Sequence, residues 1–390
     1  MNKWKNIIIL LILFAIITII LITISIILIS IILKHKVLIK KEFLTPTKKD
    51  IDEINKKYSG RKEIIISTIY ISIPSFRDKE LVLTIEDIFK KAYKPERIWI
   101  GVVEQNDPND HPDTFAKNAK VDQKHIRVYN MLPSQAKGVT YARTIGESMW
   151  KGEEYFLQCD SHMRFEYGWD AELIDMLLRC PKPFETVISM YPEGYLREED
   201  SKGNVSYSVA VRKGWRRERY KFFNAQGIVE FESVTTNDPI PEIPQKIPFW
   251  SACLAFSSSN ILKQIPFHPN TNYLFFGEEI FMTARLFTHG WDIRGPRYSI
   301  AYHLWKRDYR PTYWSQNDNI KERDNSIQLV KDHLLGYRND IIFDTHLTIG
   351  NKKTLNELWN YMGLDPIHNT TIRPHDPWTL PHRNMKLLRN

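Results

Sequence analysis

Ile69-Tyr70-Ile71-Ser72-Ile73-Pro74-Ser75-Phe76-Arg77-Asp78 is a β-prone apolar run closed by proline and polar residues. Leu81, Ile85, Ile88, Phe89 and Ala92 follow at the spacing of an amphipathic helix, for which Asp78 reads as the N-cap. The strand extends backward to Ile64-Ile65-Ile66 in this reading. The same alternation recurs. Arg97 to Val103 reads as a second strand, Ile126 to Leu132 as a third, Gly138 to Trp150 as a helix, Tyr155 to Cys159 as a fourth strand, Trp169 to Leu178 as a helix and Thr186 to Tyr191 as a fifth strand. Strand and helix in alternation with short connections predict an α/β layered domain with a mostly parallel sheet. In such sheets ligands bind beyond the carboxyl ends of the strands, so candidate residues are sought there.

The pattern dissolves from Glu193 to about Pro248, where Arg212, Lys213, Arg216, Arg217, Arg219 and Lys221 surround Trp215. This stretch reads as an irregular insertion or hairpin, with a loop covering an acceptor as the functional alternative. A helix returns at Glu278 to His289, with Gly290 as its C′ residue. The organisation expected is a short polar start (1–6), an apolar segment (7–33), a lysine-rich stalk (34–62), the α/β body (63–310, with 193–248 inserted) and a carboxyl-terminal extension (311–390) wrapping the body.

The 390 residues are 43% hydrophobic and 26% charged, a globular composition with a net charge of +8. Six lysines and no acid fall in the first 41 residues, so the body carries about +2, too little for a nucleic-acid surface. Ile7 to Leu33 has no charged residue. As a helix it would span about 40 Å against a hydrocarbon core of roughly 30 Å, and no cleavage site of small residues follows it. One uncleaved membrane anchor is expected. Lys3 and Lys5 before it and Lys34, Lys36, Lys40 and Lys41 after it favour a cytoplasmic body slightly, and three cysteines give no disulfide framework. The sequons at Asn204 and Asn369 point the other way, so the side of the membrane stays open.

At the strand ends, Cys159-Asp160-Ser161-His162 sets a carboxylate and an imidazole two residues apart, on one side of an extended chain. That pair suits Mn²⁺ or a similar divalent ion, the kind that neutralises a diphosphate leaving group. A second such spacing, Asp344-Thr345-His346, shows that the spacing alone is not diagnostic. The end of the first strand, with Ser75, Arg77 and Asp78, and Glu104 at the end of the second offer partners for a base and ribose. Gly138 allows close backbone approach and Arg143 supplies a fork for phosphate or carboxylate. Glu278 and Glu279 open the late helix as dipole complements or as carboxylates that hold a sugar or acceptor hydroxyl. His303, after a short apolar piece, is a third candidate metal ligand. Trp250, Trp291 and Asp292 are candidate acceptor contacts, with core packing the ordinary use of such tryptophans.

Ile73-Pro74-Ser75-Phe76-Arg77-Asp78, Gln158-Cys159-Asp160-Ser161-His162-Met163-Arg164-Phe165, Gly277-Glu278-Glu279-Ile280 and Arg285-Leu286-Phe287-Thr288-His289-Gly290-Trp291-Asp292 together resemble the polypeptide α-N-acetylglucosaminyltransferases of glycosyltransferase family 60. The likeness runs from about residue 64 to 310. It implies a GT-A nucleotide-diphospho-sugar fold, UDP-GlcNAc as donor, a divalent metal and retention of anomeric configuration. Carried over, Asp160 and His162 match the metal motif, Arg143 the donor-site helix and, more loosely, His303 a late metal histidine. The anchor and the 193–248 stretch depart from the pattern, which leaves the acceptor, polypeptide or glycan, open. The expectation is a membrane-anchored, metal-dependent retaining glycosyltransferase that takes a UDP-sugar and no nucleic acid. An inverting, glycan-building transferase with Glu279 as base and an inactive membrane lectin or scaffold are the alternatives.

Overall fold

A computed structural model describes residues 46–109, 114–209, 215–236, 240–317, 319–337 and 346–372, with the isolated Thr18 and Thr23. The expected anchor at 7–33 lies outside the described residues, as do Asp344 and Thr345 of the second Asp-x-His. Among the described residues no helix is long and apolar enough to cross a membrane.

The chain divides into two units, Met1–Glu42 with Arg197–Val211, and Phe43–Leu196 with Arg212–Asn390. In the described part of the first, a tight turn at Asp200–Gly203 is held by the Asp200 carboxylate, which accepts from the Lys202 and Asn204 amides at 2.8 and 2.9 Å.

The second unit is built on a seven-stranded sheet in the order β12-β6-β11-β4-β1-β2-β3. Its strands are β1 (Ile69–Phe76), β2 (Ile98–Gln105), β3 (Ile126–Met131), β4 (Tyr155–Cys159), β6 (Thr186–Ser189), β11 (Leu254–Ser258) and β12 (Asp292–Arg294). Only β11 runs antiparallel, against both β4 and β6. The sheet is therefore mostly parallel, as its sequence pattern predicts. Every residue of β1 is buried, because parallel strands are covered on both faces and read as a near-continuous apolar run. The helices Glu80–Lys91 and Trp169–Leu178 pack Leu81, Ile85, Ile88, Trp169 and Leu173 on one side. On another side Trp250, Phe267, Met282 and Trp291 form a second core around Tyr70 and Phe156.

Strand order fixes where a ligand can enter. From β1 the chain moves to β2 and β3 on one side, then returns to place β4 on the other side of β1. The order reverses between β1 and β4, and a crevice opens beyond their carboxyl ends. Those ends are Phe76-Arg77-Asp78 and Asp160-Ser161-His162.

A smaller sheet closes over this point. Its strand β13 (Ala301–His303) lies antiparallel to β5 (Met163–Phe165), with His303 opposite Met163, and parallel to the start of β7 (Glu193–Glu199). The Leu304 amide donates to the His162 carbonyl at 3.1 Å. His303 thus reaches the end of β4 across about 140 residues of chain because two three-residue strands pair.

Three expectations are corrected. Ile64-Ile65-Ile66 is not strand: Lys62–Ile65 is a helical turn, since β1 finds paired neighbours only from Ile69 onward. The stalk is not free chain up to residue 62: Lys48–Tyr58 is a helix with a Thr47–Asp50 capping box, Tyr58 is buried in the core, and Lys57 pairs with Glu172 at 2.7 Å. The 193–248 stretch is not irregular: besides β7 it carries β8 (Val205–Val209) and an antiparallel hairpin of β9 (Trp215–Phe223) and β10 (Val229–Thr236). Ile228, Val229 and Phe231 of the hairpin pack on the helix Glu278–Thr288 and on Ile320–Leu334 of the extension. In β9 the consecutive charges Arg216-Arg217-Glu218-Arg219 leave no apolar alternation, which hid the strand in the sequence.

Candidate active site

The crevice between β1 and β4 is a cavity of about 590 Å³. Asp160 and His162 stand at its floor because they follow β4, and His303 because it ends β13. Each offers one ligand atom, and the three atoms lie within 4.8 Å of one another. His303 Nε2 is 3.1 Å from Asp160 Oδ2. The His162 ring meets the His303 ring edge-on at 4.6 Å between centroids. The Nδ1 of His162 lies 2.8 Å from Asp78 Oδ2, while its Nε2 is buried with no hydrogen-bond partner. One carboxylate, two imidazoles and an orphaned buried ring nitrogen form a donor set that fits Mn²⁺ or a similar divalent ion.

Arg143 projects from the helix Val139–Ser148 into the same floor. Its guanidinium pairs with Glu278, lies 3.2 Å from Asp160 Oδ1 and donates to the Ala252 carbonyl at 3.1 Å. Gly138 caps that helix at φ +93°, and a Cβ there would stand 3.0 Å from the Tyr273 backbone, so glycine is required on both counts. Gly277 does the same for the helix Glu278–Thr288, at φ +114°.

The acids divide by environment. Burial would raise the Asp160 carboxyl, but His303, Arg143 and His162 outweigh it and hold the group well below the usual range. Burial would likewise raise Asp78, and the bond with His162 and the Arg310 charge pull it well below instead. Burial does raise Glu278, against the pull of Arg143. Burial carries Glu279 up to about 7, although the Tyr191 hydroxyl and the Ala252 amide donate to it. Burial also pushes the His303 imidazole down to about 4, against its bond to Asp160.

Of the residues expected at the site, Gly138, Arg143, Asp160, His162, Glu278, Glu279 and His303 line this one cavity. The others do not. Ser75 is buried beside it. Arg77 sits at φ +49° and donates to Gln316 at 2.7 Å. The Glu104 carboxylate is taken by the Phe115 and Ala116 amides at 2.9 and 2.7 Å, so it closes a loop instead of facing a ligand. Asp78 is fully buried beneath His162. Trp250 and Trp291 are core residues, 2% and 1% exposed, and Asp292 pairs with Lys246 and Arg294 at 3.1 and 3.0 Å. The pull to bury large aromatic area overrides their use as platforms.

Several lining residues went unnamed in the sequence. Trp305, Arg307, Arg310, Tyr313 and Trp314 enter from the segment after β13, and Phe275 and Phe276 from the approach to Gly277. Phe275 packs on Trp314 at 4.7 Å, and Phe276 and Trp314 are about half exposed. The signal available was position alone: Arg307 and Arg310 follow His303 within seven residues.

A family model for glycosyltransferase (GlcNAc) matches residues 68–123 and 113–368. No curated protein matches the chain. Among solved structures, the crystal structure of GalNAc-T7 with UDP, GalNAc and Mn²⁺ is similar with a TM-score of 0.52 at 14% identity, over 76% of this chain and 54% of that one. The crystal structure of S. aureus TarS 1-349 in complex with UDP-GlcNAc gives 0.45 at 12% identity, over 76% and 70%. The chain spans about half the length of GalNAc-T7, and the likeness is one of fold.

Proposed function

The chain belongs to the glycosyltransferase (GlcNAc) family, and from that premise we propose that it transfers GlcNAc from UDP-GlcNAc to a hydroxyl of a polypeptide or glycan, with retention, in the manner of glycosyltransferase family 60 and on a GT-A fold. It is a glycosyltransferase by family; donor, metal, stereochemistry and acceptor are the proposal. The observation that carries it is the convergence of Asp160, His162 and His303 at the floor of the β1/β4 crevice, beside Arg143 and two glutamates. The fold-mate GalNAc-T7 was crystallised with UDP, GalNAc and Mn²⁺, which supports the same ligand classes here.

In this reading Asp160, His162 and His303 hold a divalent ion, Mn²⁺ by preference. Such an ion, when bound, neutralises charge on the diphosphate as it departs. Arg307 lines the cavity and binds phosphate oxygens. His303 and, after it, Arg143 keep Asp160 ionised and aimed. Glu278 and Glu279 orient the sugar or the acceptor hydroxyl. The acceptor oxygen bonds to the anomeric carbon, the bond from that carbon to UDP breaks, and the leaving phosphate takes the acceptor's proton. A membrane anchor through residues 7–33 belongs to the same proposal and rests on the sequence alone.

One observation favours the inverting alternative. A carboxyl tuned to about 7 in the cavity, as Glu279 is, suits a general base. The anomeric configuration of the product, read by NMR, separates the two. The proposal itself is tested by offering the purified full-length chain a panel of nucleotide sugars with Mn²⁺ and measuring released UDP. Turnover of UDP-GlcNAc that is lost in a folded Asp160→Ala variant is expected; no UDP release from any UDP-sugar, or unchanged turnover in that variant, refutes it.

A further inference from the structure

We infer that Asp78 is the positioning residue of the metal site, fixing His162 with its proton on Nδ1 so that Nε2 presents a lone pair to the ion. The inference rests on the metal reading above. Asp78 follows β1 as His162 follows β4, and the two strands are neighbours in the sheet, so the side chains meet below the crevice. Asp78 does not line the cavity and is fully buried.

Four groups from three segments hold its carboxylate. Oδ1 accepts from the Glu80 amide at 3.1 Å and from the Tyr309 hydroxyl at 2.8 Å. Oδ2 accepts from Ser161 Oγ at 2.7 Å and pairs with Arg310 at 3.2 Å. The same Oδ2 lies 2.8 Å from His162 Nδ1. An ionised carboxylate can only accept, so the proton of that bond belongs to Nδ1. In the neutral imidazole Nε2 is then bare, and it is the buried atom with no partner beside Asp160 and His303. A carboxylate behind a ligating histidine fixes the tautomer and the ring orientation, and its loss weakens metal affinity by about 10–100-fold. A donor-site role, which the sequence suggested for Asp78, is replaced by one that acts through His162. The rival is a purely structural ion pair that caps the helix Glu80–Lys91.

Two measurements on the full chain decide. In metal-free protein labelled with ¹⁵N-histidine, with His162 assigned by comparison with His162→Gln, NMR should show Nδ1 protonated and Nε2 bare. The opposite tautomer overturns the inference, and this readout needs no variant at Asp78 to fold. Mn²⁺ binding, followed by EPR of the free ion, should weaken about 10–100-fold in Asp78→Asn, whose amide can turn an N–H toward His162. It should stay unchanged in Tyr309→Phe, which removes another anchor of the same carboxylate. Equal Mn²⁺ affinity in wild type and Asp78→Asn, or an equal loss in Tyr309→Phe, overturns the inference while the metal reading stands. A wild-type chain that binds no Mn²⁺ sinks both.

Discussion

Glu279→Gln should make the protein more stable at alkaline pH and leave it nearly unchanged in acid. Burial lifts this carboxyl from an ordinary 4.5 to about 7. At pH 4 both folded and unfolded chains carry the proton, so the residue contributes no pH-dependent term. Between 4.5 and 7 the unfolded chain ionises while the folded one keeps its proton, and stability falls as pH rises, because the folded state then binds more protons. Above 7 the loss is complete. At about 1.36 kcal/mol per pH unit the interval corresponds to roughly 3 kcal/mol. The carboxyl faces the cavity rather than packed core, and water there trims the figure to about 2–3 kcal/mol. Glutamine keeps an acceptor for the Ala252 amide at 2.9 Å and a polar group for Tyr191, and it cannot ionise. Urea unfolding of metal-free wild type and variant at half-unit steps from pH 4 to 8.5 gives the test. The stability difference should grow by about 2–3 kcal/mol across that range, most of it between pH 5 and 7. A difference flat in pH would mean that Glu279 titrates like a free side chain, and the picture of a burial-strained acid would fall.

Arg143→Met should cost about 3–5 kcal/mol, because it leaves Asp160 and Glu278 facing each other without their shared cation. A variant within about 1 kcal/mol of wild type in denaturant unfolding would contradict that arrangement. Gly101→Ala should destabilise by about 1–3 kcal/mol, since its Cβ would fall 1.9 Å from the Tyr70 hydroxyl oxygen, which itself donates to the Gly146 carbonyl. Adding Tyr70→Phe should recover part of that loss; full additivity of the two changes in thermal unfolding would show that the clash is not the cause.

The sheet was legible because β1, β2 and β4 are buried on both faces and their residues have little choice but to be apolar. Their predicted bounds differ from the observed ones by a residue or two at most, apart from the backward extension of β1. The pair Asp160 and His162 was legible for a local reason: residues two apart on a strand end share a side. Its third member depends on pairing between three-residue strands, which leaves almost no sequence signature; its place after an apolar piece and the looser family likeness suggested it. The hairpin of β9 and β10 was one of the two readings of its stretch, but its strands could not be bounded because Arg216-Arg217-Glu218-Arg219 leaves no apolar alternation to read. Asp78 was misread for a different reason. A cap and a buried carboxylate beneath a histidine look alike in sequence; here Lys79 is the N-cap of the helix Glu80–Lys91, and Asp78 accepts from the Glu80 amide while lying beneath His162. Trp250 and Trp291 were misread because aromatic residues serve cores and sugar platforms alike, and the deciding quantity, exposure, is tertiary.

The cavity floor and the layer beneath it hold two kinds of acid, and the difference between them is informative. Asp78 and Asp160 are more than compensated by histidines and arginines, so folding favours their charged forms. Glu278 and Glu279 are not, and the fold carries them at a cost in stability despite Arg143, Tyr191 and the Ala252 amide. Neither glutamate is needed to satisfy the helix they begin, since any first-turn acid on the solvent side would complement its dipole equally well. Packing alone would favour apolar side chains at such positions, as replacement of buried ionic groups commonly stabilises. Both carboxyls line the cavity. A ligand that donates hydrogen bonds to those carboxylates relieves a penalty the fold bears, and that relief is binding energy.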